Sequence, residues 1–255
     1  MNISILSLFP NMFNAPMSES MLKKAVDKKL LSIEIFDIRN YAKDPHKMVD
    51  DTPYGGGPGM IMKPEPIFEC VEDIIDKFTI GNSSISTSEI PIILLSPQGK
   101  PFDQSTALKL SKKNHLILIC GHYGGIDARV EEHLATESIS IGDYILTGGE
   151  LPAMILIDAI TRLIPGVLGD EKSTNNETFT SNLLESPSYT RPYEYRGFSV
   201  PTVLRSGDHK EIQNWKRIES IKRTTKRRPD LLSKAQLNPD EIIFLKSIDI
   251  NPNTL

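Results

Sequence analysis

Apolar positions along the chain fall into two rhythms. Short runs rich in β-branched residues at 2–8 (NISILSL) and 32–38 (SIEIFDI) predict strands, and 91–95 (PIILL) and 115–120 (HLILIC) are continuously apolar. A run that is apolar at every position belongs to a strand buried on both faces, as in parallel sheets. Around these runs, 18–29, 103–112, 126–135 and 150–163 read as helices, with Ser18 as N-cap of the first and Pro152 in the first turn of the last. Strands alternating with helices predict an α/β domain on a parallel sheet.

The character changes near residue 169. Residues 169–182 (GDEKSTNNETFTSN) are polar and without apolar periodicity, which predicts a mobile linker; 81–89 predicts a surface loop. Beyond the linker, 208–224, 229–234 and 239–247 read as helices, and no strand is evident after 203. The expected division is an α/β domain over 1–163, a linker over 164–182 and a small all-helical domain over 183–255.

Composition adds little to this picture and charge adds more. A hydrophobic share of 39% and a charged share of 24% suit an ordinary globular interior. Cys70 and Cys120 are the only cysteines and form no CxxC pair, which predicts reduced thiols. The amino-terminal MNISILSLFPNMF lacks a basic segment and a small-residue cleavage site, and no apolar run approaches the ~20 residues of a membrane helix. A soluble, cytoplasmic protein with no membrane partner is expected. Net charge is −4, yet Arg205 to Arg228 holds nine lysines and arginines against three acids, a local +6. Such a basic stretch on an acidic chain can meet phosphate, or be a solvated helical face.

Three glycine-rich segments border the apolar runs: 53–60 (PYGGGPGM), 121–125 (GHYGG) and 142–149 (GDYILTGG). Glycine permits positive φ and close approach of backbone to a ligand, and ligands of open α/β sheets bind at the carboxyl ends of strands. Two of these loops, with Leu95-Ser96-Pro97-Gln98-Gly99, are expected to meet at one pocket. GxGxxG after the first strand, GxxxxGK[ST], HExxH and zinc-like Cys/His spacing are all missing, which argues against dehydrogenase, P-loop and zinc chemistry.

The strings DDTPYGGGPGMIMKPEP (50–66), LLSPQGKPFDQ (94–104), SIGDYILTGGELPAMILIDAITRLIPGVLG (140–169), YTRPYEYRGFSVPTVLRSGDH (189–209) and RRPDLL (227–232) resemble, in order and over nearly the whole chain, the bacterial tRNA (guanine-37-N1)-methyltransferase family. The resemblance implies a SPOUT-like α/β fold with a deep trefoil knot and a homodimer with its active site between subunits. It implies S-adenosylmethionine as methyl donor and the tRNA anticodon arm as partner. The donor pocket it implies is lined by Leu95, Ser96, Pro97, Gly121, Tyr123, Ser140, Ile141, Gly142, Asp143, Tyr144, Ile145, Leu146, Gly148 and Gly149. The helical domain would bind tRNA, with Arg223, Arg227 and Arg228 on phosphates. Glu177 aligns with the family's catalytic aspartate, as acceptor of the guanine N1 proton, and Arg162 with the cation that stabilises charge on O6. Gly124 and Ala128 stand where the family usually carries acids, and Thr52 where it usually carries arginine. A knotted methyltransferase with another RNA target, and a catalytically weakened RNA-binding homologue, are the alternative readings.

Overall fold

The continuous apolar runs become the middle of a parallel sheet. The computed structural model describes residues 1–81, 90–169, 177–179 and 181–247, and the chain divides into units Met1–Gly169 and Asp170–Leu255. Residues 170–176 and 180 of the expected linker and most of the expected surface loop (82–89) lie outside the described residues. The first unit runs β1 (Asn2–Ser7), α1 (Asn14–Met17), α2 (Ser20–Asp27), β2 (Ser32–Asp37), β3 (Asp50–Asp51), β4 (Ile61–Met62), α3 (Pro64–Gly81), β5 (Ile92–Pro101), α4 (Gln104–Leu110), β6 (His115–Cys120), α5 (Ala128–His133), β7 (Glu137–Ser140) and α6 (Glu150–Thr161). The main sheet has the order β2-β1-β6-β5-β7, every neighbouring pair parallel.

Burial on both faces explains the apolar runs. All six residues of β6 are buried. Ile3, Ile5, Leu116 and Leu118 turn to one side, against Leu22 and Ala25 of α2, Ala107 and Leu110 of α4, and Leu156, Ile157 and Ile160 of α6. Leu6, Ile117 and Ile119 turn to the other, against Ile67, Cys70, Val71 and Ile74 of α3 and Val130 of α5. Each fully buried aliphatic chain contributes roughly 1.5–3 kcal/mol relative to exposure, so the sheet is the stability centre of this unit.

Several local expectations are corrected. Ser18 does not cap the first long helix: its hydroxyl donates to Ala15 O, and Glu19 holds the N-cap position of α2. The helices expected at 103–112 and 126–135 are shorter, because Asp103 and Asp127 accept from the backbone N–H groups of Thr106 and Arg129 and start α4 and α5 later. The amphipathic α3 and the short edge strand β7 were not anticipated.

In the second unit, β8 (Glu194–Tyr195) and β9 (Phe198–Ser199) form an antiparallel hairpin, so residues 183–255 are not all helical. Arg196 and Gly197 between them both have positive φ, the conformation of a tight two-residue hairpin turn. Then come α7 (His209–Arg227), capped by Asp208, a 3-10 helix at Pro229–Lys234 and α8 (Pro239–Ser247). Leu183, Ile221, Leu232 and Leu245 form its small buried core. Among the described residues no helix is long and apolar enough to cross a membrane.

Candidate functional site

The carboxyl ends of β5, β6 and β7 open on a cavity of about 490 Å³. That volume suits a nucleoside-sized ligand. β5 supplies the first wall because it bulges: its pairing with β7 breaks between Leu95 and Lys100, and Leu95, Ser96, Pro97 and Gln98 turn into the cavity. The loop after β6 gives Gly121 and Tyr123, and the loop after β7 gives Ser140 to Gly142, Tyr144 to Leu146, Gly148 and Gly149. Of the fourteen residues expected around a donor, thirteen therefore line one cavity; the exposed Asp143 does not.

Close backbone packing dictates the glycines. A Cβ on Gly149 would sit 2.7 Å from Cys120 Cα and 2.9 Å from Gly121 N, where the Gly149 N–H donates to Gly121 O at 2.8 Å. A Cβ on Gly99 would meet Ile139 N at 2.5 Å. Tyr123 holds a left-handed φ of 59°, a strained geometry for a non-glycine residue of the kind often kept at ligand sites. The 140–144 loop is closed on itself, since the Gly142 N–H donates to Ser140 Oγ and the Tyr144 N–H to Gly142 O.

The third glycine-rich loop, 53–60, does not line the cavity; it buttresses the loop that does. Gly124 N–H donates to Met60 O at 2.9 Å, and the His122 N–H points to Met62 Sδ at 3.2 Å. A Cβ on Gly124 would sit 2.9 Å from Met60 O, so glycine is what this contact admits.

Behind the wall lies a polar group that was not singled out in the sequence. Glu150, the first residue of α6, is 1% exposed; it accepts from Ser7 Oγ at 2.7 Å and lies 3.7 Å from His122 Nδ1. Burial, then the nearby Glu150, raises the Cys120 thiol well above its usual range, and burial pushes Cys70 up to about 12. Both stay protonated, and neither is an activated nucleophile.

Among the described residues the lining carries no lysine or arginine and one acid, Glu131, whose carboxylate accepts from Ser138 Oγ at 2.7 Å. A cationic sulfonium fits such a wall, because no positive side chain opposes it. Arg162, half-buried, caps the carboxyl-terminal end of α6, whereas the cavity lies at its amino-terminal end. At 1.5 Å per residue, Glu150 and Arg162 are separated by roughly 18 Å along the axis. Glu177 is half-buried in a bend of the second unit.

The basic run is less free than its count suggests. Arg217 forks onto Glu241 at 2.7 and 3.1 Å, Lys222 pairs with Glu219, and Arg228 forks onto Asp230 at 2.8 and 2.6 Å. Arg223, whose Nη1 donates to the Glu185 backbone O at 3.3 Å, and Arg227 line a hollow of about 330 Å³ with Thr178, Ser186 and Ser188.

Comparison with known proteins shows the family. Residues 1–234 match the family model described as tRNA (Guanine-1)-methyltransferase TrmD. A tRNA (guanine-N(1)-)-methyltransferase of Dehalococcoides mccartyi (strain 195) is 53% identical over 238 residues, 93% of each chain. A second, from strain BAV1, is 50% identical over 254 residues, covering 100% of this chain and 99% of its own. The protein of that name from Geobacillus kaustophilus is 51% identical over 246 residues, 96% of this chain and 97% of its own.

Proposed function

The chain belongs to the tRNA (guanine-1)-methyltransferase family, enzymes that methylate N1 of a guanine in tRNA, and from that premise we propose its donor, its target and the residues that serve them. The donor is S-adenosylmethionine, bound in the cavity at the ends of β5, β6 and β7. The target is guanine 37 of the anticodon loop. The observation that carries this reading is the convergence of thirteen expected residues on one glycine-walled cavity that, among the described residues, has no lysine or arginine in its lining.

Bound S-adenosylmethionine supplies an electrophilic methyl group on a sulfonium. Guanine N1 is protonated near neutrality, so its electron pair becomes available only as the proton leaves. Glu177 takes that proton, a contribution of ~10²–10⁴-fold for a well-placed base. Arg162 stabilises the negative charge that then gathers on O6. The remaining acceleration comes from holding N1 in line with the methyl carbon.

The functional unit is a homodimer. Its support is the placement of Arg162 at the end of α6 remote from the cavity, which leaves the cavity of one chain to be completed by another. The exposed Leu151 and Ile155, one helical turn apart on α6, offer apolar surface for that contact. The first unit is the donor-binding domain and the second the tRNA-binding one. The passage of Gly148 and Gly149 against Gly121 and His122 supports a knotted crossing of the kind the family has. Two unpaired buried thiols and a tRNA substrate suit the cytoplasm.

Mixing two inactive variants tests the shared site. An Arg162→Ala chain keeps a good cavity; a Gly149→Val chain keeps Arg162 but has its cavity spoiled. If the arginine acts across the interface, reannealed mixtures regain up to a quarter of the parent activity. No recovery, despite mixed dimers seen by native mass spectrometry, contradicts the shared site.

A further inference from the structure

The β8–β9 hairpin carries aromatic rings into solvent on a scale its small size does not explain. Phe198 is 80% exposed and Tyr195 61%. They are directly paired across the hairpin, so both side chains rise from the same face, while Glu194 and Ser199 share the other. Leaving a phenylalanine in water forfeits burial, and a two-stranded hairpin is marginal alone, so this arrangement implies an occupant. Arginines frame the rings. The Arg196 guanidinium lies 5.2 Å from the Tyr195 ring centre, and Arg205 lies 3.8 Å from that of Tyr193. The rigid turn, with positive φ at Arg196 and Gly197, fixes the ring pair at the hairpin tip.

We propose that Tyr195 and Phe198 form a stacking platform for an unstacked nucleobase of the tRNA, with Arg196 beside it to meet phosphate. This rests on the reading of tRNA as substrate and extends it: the contact is to the face of a base, not to phosphates alone. Exposed aromatics interleaved with arginines are what single-stranded RNA demands, since every base offers a π-face and its backbone is anionic. A protein partner would leave the cations around the rings to be matched by acids.

The test measures tRNA affinity over a range of salt for the full-length protein, Phe198→Ala, Phe198→Leu, Tyr195→Ala and Phe198→Trp. Stacking is worth enough that each loss of a ring weakens binding roughly 5- to 100-fold. The slope of log affinity against log salt stays at the parent value, because no phosphate contact is removed. Phe198→Trp retains affinity and donor binding is unchanged throughout. Phe198→Leu keeps the apolar bulk and lacks the ring; if it binds as the parent does, the stacking platform is wrong. Should the variants change sedimentation, with tRNA affinity following oligomeric state, the face is a contact between copies and the proposal is overturned. A parent protein that fails to bind tRNA removes the substrate reading and this platform with it.

Discussion

Replacing His115 by Gln is expected to remove a specific part of the protein's acid sensitivity. His115 opens β6, is 4% exposed, bonds Ser4 Oγ through Nε2 at 2.9 Å and packs tilted against Phe78 at 4.3 Å between ring centres. Its Nδ1 is buried and has no hydrogen-bond partner among the described residues. Burial lowers its pKa from 6.5 to about 4, because the charged imidazolium loses its hydration there. The unfolded chain therefore takes up this proton at a higher pH than the folded one. The associated stability is complete above pH ~6.5 and is lost as the pH falls toward ~4, at about 1.4 kcal/mol per unit. Between pH 7 and pH 4.5 the loss amounts to about 2 kcal/mol. Urea unfolding followed by far-ultraviolet circular dichroism measures it; Trp215, the only tryptophan, sits in the second unit and would report on the wrong one. Gln keeps an acceptor for Ser4 and does not titrate, so the variant should lose about 2 kcal/mol less than the parent over that interval. Titration of the His115 ring by NMR gives the midpoint directly. A midpoint of 6 or above, or equal acid losses in parent and variant, refutes the argument.

Glu177→Gln should slow the methyl-transfer step ~10²-fold or more with donor and tRNA binding kept, while Glu177→Asp retains substantial activity; single-turnover rates across pH 6 to 9 decide, and a near-parent rate for Gln removes Glu177 as the base. Arg223→Ala with Arg227→Ala should weaken tRNA binding and lower its salt slope by ~0.7–0.9 per lost phosphate contact. Arg228→Ala should do less, because Asp230 already neutralises Arg228; equal effects for all three would contradict that ranking. Gly149→Ala pushes a methyl group against Cys120 and Gly121, so it should cost ~1–3 kcal/mol of stability and weaken donor binding, as thermal melts and calorimetry will register.

The central sheet was legible because both faces are covered: HLILIC can be apolar throughout only in a strand with helices on either side. β7 was not, since its sequence ESIS is polar and half of an edge strand faces solvent. The helix α3 is legible in its spacing: Ile67, Cys70, Val71 and Ile74 fall at i, i+3, i+4 and i+7. The hairpin at 194–199 hides because its strands have two residues each and its aromatics point outward. At the site, glycines announced where backbones approach one another, but not which glycine loop lines the cavity and which supports it. The buried Ser7–Glu150–His122 group had no signal, as Ser7 lies more than a hundred residues from the other two and only folding joins them. The basic run looked freer than it is because Asp230 and Glu241, which neutralise Arg228 and Arg217, lie outside it.

The most direct test of the account is transfer of a labelled methyl group from S-adenosylmethionine to a pair of tRNA transcripts that differ only at position 37. The account predicts label in the transcript with guanine 37, recovered after digestion as N1-methylguanosine, and none in its partner with adenine there. Equal labelling of both transcripts, or label recovered in a different nucleoside, would contradict it.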